Sequence, residues 1–176
     1  MTTLDYDYYR LSGEEGKPRR GDIPAFQKWY RKAQGTHSRI LRAFYLWRFH
    51  ACRIKNHVDF SVDTQIGPGL YIGHPYGITI NPNIVFGKNC NIHKGATIGQ
   101  ENRGSRKGVP TIGDCVYIGI NSTIVGKIHI GNDVLIAPNS YVNCDVPDHS
   151  IVLGNPCRII HRDNATEGYI NNRITE

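Results

Sequence analysis

The feature that most constrains the fold of this chain is a six-residue period of large apolar residues. Thirteen positions keep the register across one eight-residue step, from 78 to 86, and one fourteen-residue step, from 98 to 112. They are Phe60, Ile66, Ile72, Ile78, Phe86, Ile92, Ile98, Ile112, Ile118, Ile124, Ile130, Ile136 and Val142, and Gly follows seven of them. Such a period is typical of a solenoid of short strands joined by tight turns. A β-sandwich has uneven turn spacings of about 8–12 residues. We therefore predict an all-β solenoid over residues 59–160.

Two helices are predicted in the segment that precedes the solenoid, residues 1–58. One covers residues 23–32 with Asp22 as its N-cap, and the other covers residues 38–55. The second helix carries an apolar stripe that we expect to pack on the first coil. The stripe consists of Ile40, Phe44, Trp47, Ala51 and Ile54, and the residues off it are Arg39, Arg42 and Arg53. The alternative is a basic amphipathic helix on an anionic membrane surface. After the solenoid, residues 161–176 are predicted to be a loosely held polar tail.

Composition and charge narrow the class of protein. Of the 176 residues, 39% are hydrophobic and 20% are charged, which excludes a disordered chain. The net charge of +6 is concentrated in residues 1–58, where 12 Lys and Arg accompany 5 Asp and Glu, so we expect no nucleic-acid partner. Without an apolar run of about 18 residues or a secretory signal, a cytoplasmic location is expected, with the inner face of the membrane as an alternative. The five scattered cysteines indicate reduced core thiols.

A polar, Gly-rich segment interrupts the repeat at residues 100–110, which read QENRGSRKGVP. Insertions into a solenoid become loops on one face, and that face often binds the ligand. We therefore predict that this excursion borders a binding site. A plain flexible loop is the alternative.

Two histidines of the solenoid, His74 and His93, are candidates for chemistry. His74 follows an inward-facing Ile by two residues at a turn, so its imidazole is expected to point outward. Asp59 precedes it by fifteen residues, and a coil of about eighteen residues would place this carboxylate within reach of one imidazole nitrogen. A solvated turn histidine is the other interpretation. His93 is the second candidate for a base.

From Asp59 to Arg158 the sequence resembles the serine acetyltransferases, which are hexapeptide-repeat acyltransferases. The resemblance rests on the Asp59–His74 spacing, on the equal length of the excursion, and on the motif Gly154-Asn155-Pro156-Cys157-Arg158. It implies a left-handed parallel β-helix with three strands per coil. It also implies a homotrimer whose active sites lie between subunits.

The chemistry that the resemblance implies is acetyl transfer from acetyl-CoA to a hydroxyl group, without a metal. His74 would act as the general base, because an alcohol is a poor nucleophile near neutral pH, and Asp59 would orient its ring. Backbone N–H groups of Gly99 and Gln100 would stabilise the oxyanion. Pantetheine would lie on backbone amides, and an arginine would meet the nucleotide phosphates. The positions matched to these acetyl-CoA contacts are Gly99, Gln100, Ile120, Ala137, Gly154 and Arg158.

The sequence departs from the family at the acceptor site. Serine acetyltransferases have an Asp immediately before the catalytic His and an Arg-His pair at the end of the excursion, where this chain has Gly73 and Gly108-Val109. The charged groups of serine would lack partners there. The residues expected at the acceptor site are Gly73, Arg103, Arg106, Lys107 and Val109. We therefore expect a saccharide hydroxyl of a surface polysaccharide or its precursor, with L-serine as the alternative acceptor.

Two other classes of protein are compatible with the repeat. A zinc hydratase of the γ-carbonic-anhydrase type needs three converging histidines, and His74, His93 and His129 are far apart in sequence. A non-catalytic solenoid scaffold is the third interpretation.

Overall fold

Short strands joined by tight turns follow three helices in the computed structural model, which describes residues 1–13 and 23–175. The predicted N-cap Asp22 lies outside the described residues. The helices are α1 (Thr3–Ser12), α2 (Ala25–Gln34) and α3 (Arg39–Lys55). The strands are β1 (Gln65–Ile66), β2 (Tyr71–Gly73), β3 (Thr79–Ile80), β4 (Val85–Phe86), β5 (Asn91–His93), β6 (Thr97–Gly99), β7 (Thr111–Ile112), β8 (Val116–Ile118), β9 (Thr123–Val125), β10 (His129–Ile130), β11 (Val134–Ile136), β12 (Tyr141–Val142), β13 (Ser150–Leu153) and β14 (Arg158–His161).

The strands form the three sides of a left-handed parallel β-helix, which confirms the predicted fold. The first sheet has the order β1-β4-β7-β10, the second β2-β5-β8-β11-β13-β14, and the third β3-β6-β9-β12. Each of the strands β1 to β9 pairs with the strand three places later, because three strands complete one coil, and β11 pairs with β13. The β13–β14 pair is antiparallel. Stacking each coil on the previous one satisfies the backbone hydrogen bonds of both.

All thirteen register positions lie in the core, with exposed fractions of 8% or less. The predicted place of the eight-residue step is wrong, however. Ile80, rather than Ile78, pairs with Ile98 of the next coil. The two extra residues therefore lie between Ile72 and Ile80, in the turn that follows β2. The apolar pattern fitted both registers because Ile78 and Ile80 are both buried.

Helix α1 is absent from the sequence-based prediction, because its polar, tyrosine-rich sequence has no apolar period. Its start has a signal in the sequence, the Thr2-x-x-Asp5 spacing of a capping box. The Thr2 hydroxyl accepts a hydrogen bond from the Asp5 N–H, and the Asp5 carboxylate accepts one from the Thr2 N–H. The helix ends at Gly13, which adopts a left-handed conformation with φ 70°.

A buried ion pair ties α1 and α2 to the first coil. Arg31 Nε lies 2.8 Å from Asp7 Oδ2, and both side chains are almost fully buried. Asp7 also accepts a hydrogen bond from the Leu70 N–H, and Arg31 donates to the Ile66 carbonyl. Burying two charges is tolerable only when further hydrogen bonds satisfy them, as they do here.

Helix α3 packs through a different face from the predicted one. Ile40, Trp47 and Ile54 of the predicted stripe are 84%, 62% and 67% exposed. The helix instead buries Phe49, whose ring packs edge-on against Phe60 in the first coil. Large apolar residues occur on several sides of α3, so their spacing did not single out the buried face.

The C-terminal residues are held against the solenoid, which corrects the prediction of a loose tail. The Asp133 carboxylate accepts hydrogen bonds from the backbone N–H and the hydroxyl of Thr166. The Asn89 side chain pairs with both the N–H and the carbonyl of Ile174, at 2.9 and 3.0 Å. These anchors are polar side chains at isolated positions, so they leave no periodic signal in the sequence.

Candidate active site

His74 lies at the corner where the second sheet meets the third, in the turn that contains the two extra residues. Its backbone has a left-handed φ of 53°, which costs a non-glycine residue about 1–2 kcal/mol. The carbonyl of His74 accepts a hydrogen bond from the Tyr76 N–H at 2.8 Å. The residue is exposed, which confirms the predicted outward orientation. An exposed imidazole at a fixed corner can take a proton from a bound hydroxyl group.

Asp59 is held by a different partner from the predicted one. Its backbone pairs with Thr79 at the end of the third sheet, and its carboxylate accepts a hydrogen bond from Arg53 Nη1 at 3.0 Å. Arg53 also donates from Nε to Nδ1 of His50. Arg53 lies off the predicted apolar stripe of α3, yet only 25% of its side chain is exposed. Within a single chain, the structure thus joins Asp59 to α3 and does not join it to His74.

A cleft of about 470 Å³ brings several of the predicted residues together. Asp59 lines it together with Gly99 and Gln100, and α3 contributes His50 and Arg53. The cleft therefore contains both residues that were predicted to stabilise the oxyanion. The N–H of Gly99 is used in the parallel pairing of β6 with β9, so of the two only Gln100 offers its backbone N–H to a ligand. Of the described residues, His74 is not among those that line it.

The excursion at residues 100–110 folds as a hairpin-like loop beside this cleft. Glu101 and Gly108 exchange two backbone hydrogen bonds, both of 2.9 Å, and the Arg106 carbonyl accepts one from the Lys127 N–H. Arg103, Arg106 and Lys107 are exposed on the loop. Val109 instead packs against the hydrophobic core, so its side chain supports the loop. The loop thus presents three exposed cations, none of which is among the residues that line the cleft.

The imidazole of His93 fills the space above Gly73. A Cβ atom added at Gly73 would lie 2.6 Å from Cε1 and Nδ1 of His93, so a side chain at residue 73 requires His93 to move. The ring of His93 also contacts Tyr117, with 4.7 Å between centroids. Its Nε2 atom is buried and finds no hydrogen-bond partner among the described residues. Burial, with a smaller contribution from a positive charge on His74, lowers the pKa of His93. From the sequence, His93 was only the second candidate for the general base, after His74.

The positions matched to acetyl-CoA contacts lie in the later coils and near β14. Ile120 lies at the same corner of the β-helix as His74. Its carbonyl accepts a hydrogen bond from the N–H of Asn139 in the next coil. The Ala137 N–H already donates to the Val152 carbonyl at 2.8 Å. An amide N–H has one hydrogen, so the predicted contact of Ala137 with pantetheine, which stays a prediction, would not use this N–H. Gly154 and Arg158 are exposed near the start of β14.

The histidines of the zinc alternative lie on different sides of the solenoid. His93 ends β5 in the second sheet, whereas His129 begins β10 in the first sheet. Among residues 1–13 and 23–175, the structure shows no group of three or more His, Cys, Asp or Glu residues placed to hold a metal ion.

Comparison with known proteins places the chain in a family. Residues 110–144 match the family model "Bacterial transferase hexapeptide (six repeats)". A serine acetyltransferase of Helicobacter pylori (strain ATCC 700392 / 26695) is 30% identical over 136 residues, which cover 76% of this chain and 78% of the relative. The chain belongs to the hexapeptide-repeat acyltransferases. Within this family it is similar to the serine acetyltransferases, which confirms the resemblance seen in the sequence.

Other members of the hexapeptide-repeat acyltransferases are longer than this chain. A serine acetyltransferase of Synechococcus elongatus is 34% identical over 116 residues, which cover 66% of this chain and 48% of the relative. A solved serine acetyltransferase in complex with CoA superposes with a TM-score of 0.63 and 26% identity, over 77% of this chain and 55% of that one. The chain thus spans about half, or less, of the length of the curated relatives that it matches first.

Proposed function

We propose that this chain is an acetyl-CoA-dependent O-acetyltransferase in which His74 is the general base. The observation that carries the proposal is the exposed imidazole of His74, held at a corner of an acyltransferase β-helix. The excursion borders a separate cleft of the same chain. The imidazole takes the proton from the acceptor hydroxyl while the oxygen attacks the thioester carbonyl. The tetrahedral intermediate then collapses, and the leaving CoA thiolate receives the proton from the imidazolium. The backbone N–H of Gln100, which follows β6, is the proposed donor to the oxyanion.

Acetyl-CoA as the donor is supported by the related serine acetyltransferase that was solved with CoA. In this chain, Gly154 and the exposed Arg158 are the proposed contacts for the nucleotide phosphates, since a guanidinium pairs well with phosphate oxygens. A homotrimer with acetyl-CoA between neighbouring solenoids belongs to the same proposal. A cytoplasmic location stays a prediction.

L-Serine is the first candidate acceptor, because the relatives are named serine acetyltransferases. This reverses the order expected from the sequence, which placed a saccharide first. In this chain the exposed cations Arg103, Arg106 and Lys107 of the excursion are the proposed partners of the serine carboxylate.

A saccharide hydroxyl is the second candidate, and one contact favours it. The ring of His93 covers Gly73, so an acidic residue at this position, which serine acetyltransferases carry, would require the ring to move. The ammonium group of serine therefore lacks a carboxylate at that place, whereas a neutral sugar requires none.

The experiment that tests the function follows release of the CoA thiol with L-serine and, separately, with oligosaccharides of surface polysaccharides. A kcat/KM above about 10⁴ M⁻¹s⁻¹ with L-serine is expected for a native acceptor. A comparable value with an oligosaccharide, and a far lower one with L-serine, would instead assign the saccharide. Failure to release CoA with any hydroxyl acceptor would contradict the O-acetyltransferase itself.

A further inference from the structure

Helix α3 carries the largest group of exposed apolar side chains in the described chain. Five large residues on this 17-residue helix are between 46% and 84% exposed. They are Ile40, Leu41, Phe44, Trp47 and Ile54, which we call the α3 apolar face. Because the opposite side of α3 is fixed to the solenoid through Phe49, this face has a set direction on the molecule. An apolar face of this size, fixed in place, indicates a docking surface.

The charges that α3 itself carries are all positive, and two of them, on Arg42 and Arg53, are paired with Asp63 and Asp59. The helix contains four Arg, one Lys and no Asp or Glu. Arg39 and Lys55 are exposed at its two ends. The side chains of Lys28, Lys32 and Arg48 lie over the ring of Trp29 on the neighbouring helix, at 5.3–5.7 Å from its centroid. The surface therefore suits a partner that is both apolar and anionic.

We propose that α3 docks this protein on the surface of an anionic lipid bilayer. A helix whose apolar face carries Trp, Phe, Ile and Leu, flanked by arginines, lies in the plane of the interface and places its cations at the lipid phosphates. Of the described helices, none is long and apolar enough to cross a bilayer, so the contact is peripheral. Trp47 is 62% exposed and matches the interfacial preference of tryptophan.

A second copy of the chain fits this surface less well. Two α3 faces packed together would bring Arg39 and Lys55, at the two ends of each helix, close to those of the other copy, which is unfavourable. A different surface of the second copy would have to supply anionic charge, and residues 59–176 contain 9 Lys and Arg against 10 Asp and Glu. The bilayer supplies apolar and anionic groups together.

The test is sedimentation of the full chain with vesicles. Phosphatidylglycerol-containing vesicles should retain the protein at low salt, and pure phosphatidylcholine vesicles should retain much less of it. High salt should weaken the binding, because screening removes the electrostatic attraction. The double variant Ile40→Ser/Trp47→Ser should need about tenfold more lipid for half binding. The matched control Val85→Ser/Ile160→Ser removes two exposed apolar residues elsewhere and should bind as the unmodified chain does.

Two results would overturn the proposal. One is equal or absent binding of the unmodified chain and the Ile40→Ser/Trp47→Ser variant to anionic vesicles. The other is a loss of assembly mass in that variant, which would show that a second copy covers the face. Because acetyl transfer to a soluble acceptor is measured separately, failure of lipid binding is distinguishable from failure of the proposed enzyme.

Discussion

His74 is the residue on which the proposed chemistry depends, and the chain offers a matched control for it. His57 is also exposed and has nearly the same backbone conformation, with φ 52° against 53° for His74. Asn tolerates the left-handed region, so His74→Asn should keep the turn intact. We expect His74→Asn to lower kcat about 10²- to 10⁴-fold, since it removes the general base.

The control for this prediction is His57→Asn, which should leave the rate of CoA release unchanged. Thermal unfolding should be nearly the same for both variants, because both side chains are exposed. If His74→Asn keeps most of its kcat while His93→Asn loses it, the base is His93.

Gly73 and His93 form a pair whose coupling can be measured. Gly73→Asp puts atoms where the His93 ring lies, so we expect a loss of about 1–3 kcal/mol in the free energy of unfolding. In the double variant Gly73→Asp/His93→Ala the ring is gone, and most of the stability lost by Gly73→Asp should return.

Denaturant unfolding of the two single variants and the double variant gives the coupling energy. Additive effects would contradict the close contact. The double variant also bears on the acceptor, because it restores an acidic side chain next to His74. A lower KM for L-serine in the double variant than in His93→Ala would show that the carboxylate meets the serine ammonium group.

At the scale of elements, the C-terminal residues are held by a carboxylate that titrates. Burial raises the pKa of Asp133, but hydrogen bonds from Thr166 and His149 outweigh this and hold the pKa below the ordinary 3.8. A depressed folded-state pKa stabilises the fold above 3.8, and this stability is lost as the pH falls through the folded-state value. We therefore expect the backbone amides of residues 165–174 to lose protection from hydrogen exchange in acid before those of the solenoid do.

The Asp133→Ala variant should release the same residues at neutral pH. It leaves buried donors of Thr166 without a partner, which costs about 1–3 kcal/mol. Asp148→Asn is the control, because the pKa of Asp148 is also lowered, but its carboxylate accepts its hydrogen bonds from Asn132 and none from residues 165–174. Loss of protection in both variants, or in neither, would contradict the anchoring role of Asp133.

The elements that sequence analysis found are those stabilised by repeated apolar burial. The solenoid was predictable because each register residue, such as Ile92 or Ile118, is inward-facing and fully buried. Helix α1 and the C-terminal residues were not, since single polar contacts such as Asp7–Arg31 and Asp133–Thr166 hold them. The two residues of each contact are distant in sequence, so no regular spacing reveals that they meet.

In the candidate site, too, the features that depend on the repeat were predictable and those that depend on distant contacts were not. The excursion at residues 100–110 follows from a break in the repeat and was visible in the sequence. The two extra residues in the turn with His74 were not located correctly, because Ile78 and Ile80 both fit the apolar pattern. The pairing of Asp59 with Arg53 depends on how α3 packs, which the apolar pattern did not fix. Likewise, the contact between His93 and Gly73 follows from the stacking of β5 on β2, and becomes visible only with the register of the coils.

At the scale of the whole molecule, the residues of the proposed site lie apart from one another within a single chain. Asp59, Gly99 and Gln100 line the cleft, whereas His74 lies at a corner outside it and Arg158 begins β14. Adjacent solenoids of a trimer would bring the corner of one chain to the later coils of the next. We therefore expect a solution mass of about three times the 19.8 kDa of one chain.

Mixed trimers test whether two chains build one site. His74→Asn lacks the base and Arg158→Glu repels the nucleotide phosphates, so each variant alone should be nearly inactive with subsaturating acetyl-CoA. If the base and the phosphate contact of one site come from neighbouring chains, random mixing of equal amounts leaves about a quarter of the sites with both groups intact. Unfolding and refolding the two variants together should then restore about a quarter of the activity of the unmodified chain. Refolding them separately before mixing is the control, and it should restore almost none. If the jointly refolded sample is as inactive as this control, the proposed site lies within a single chain.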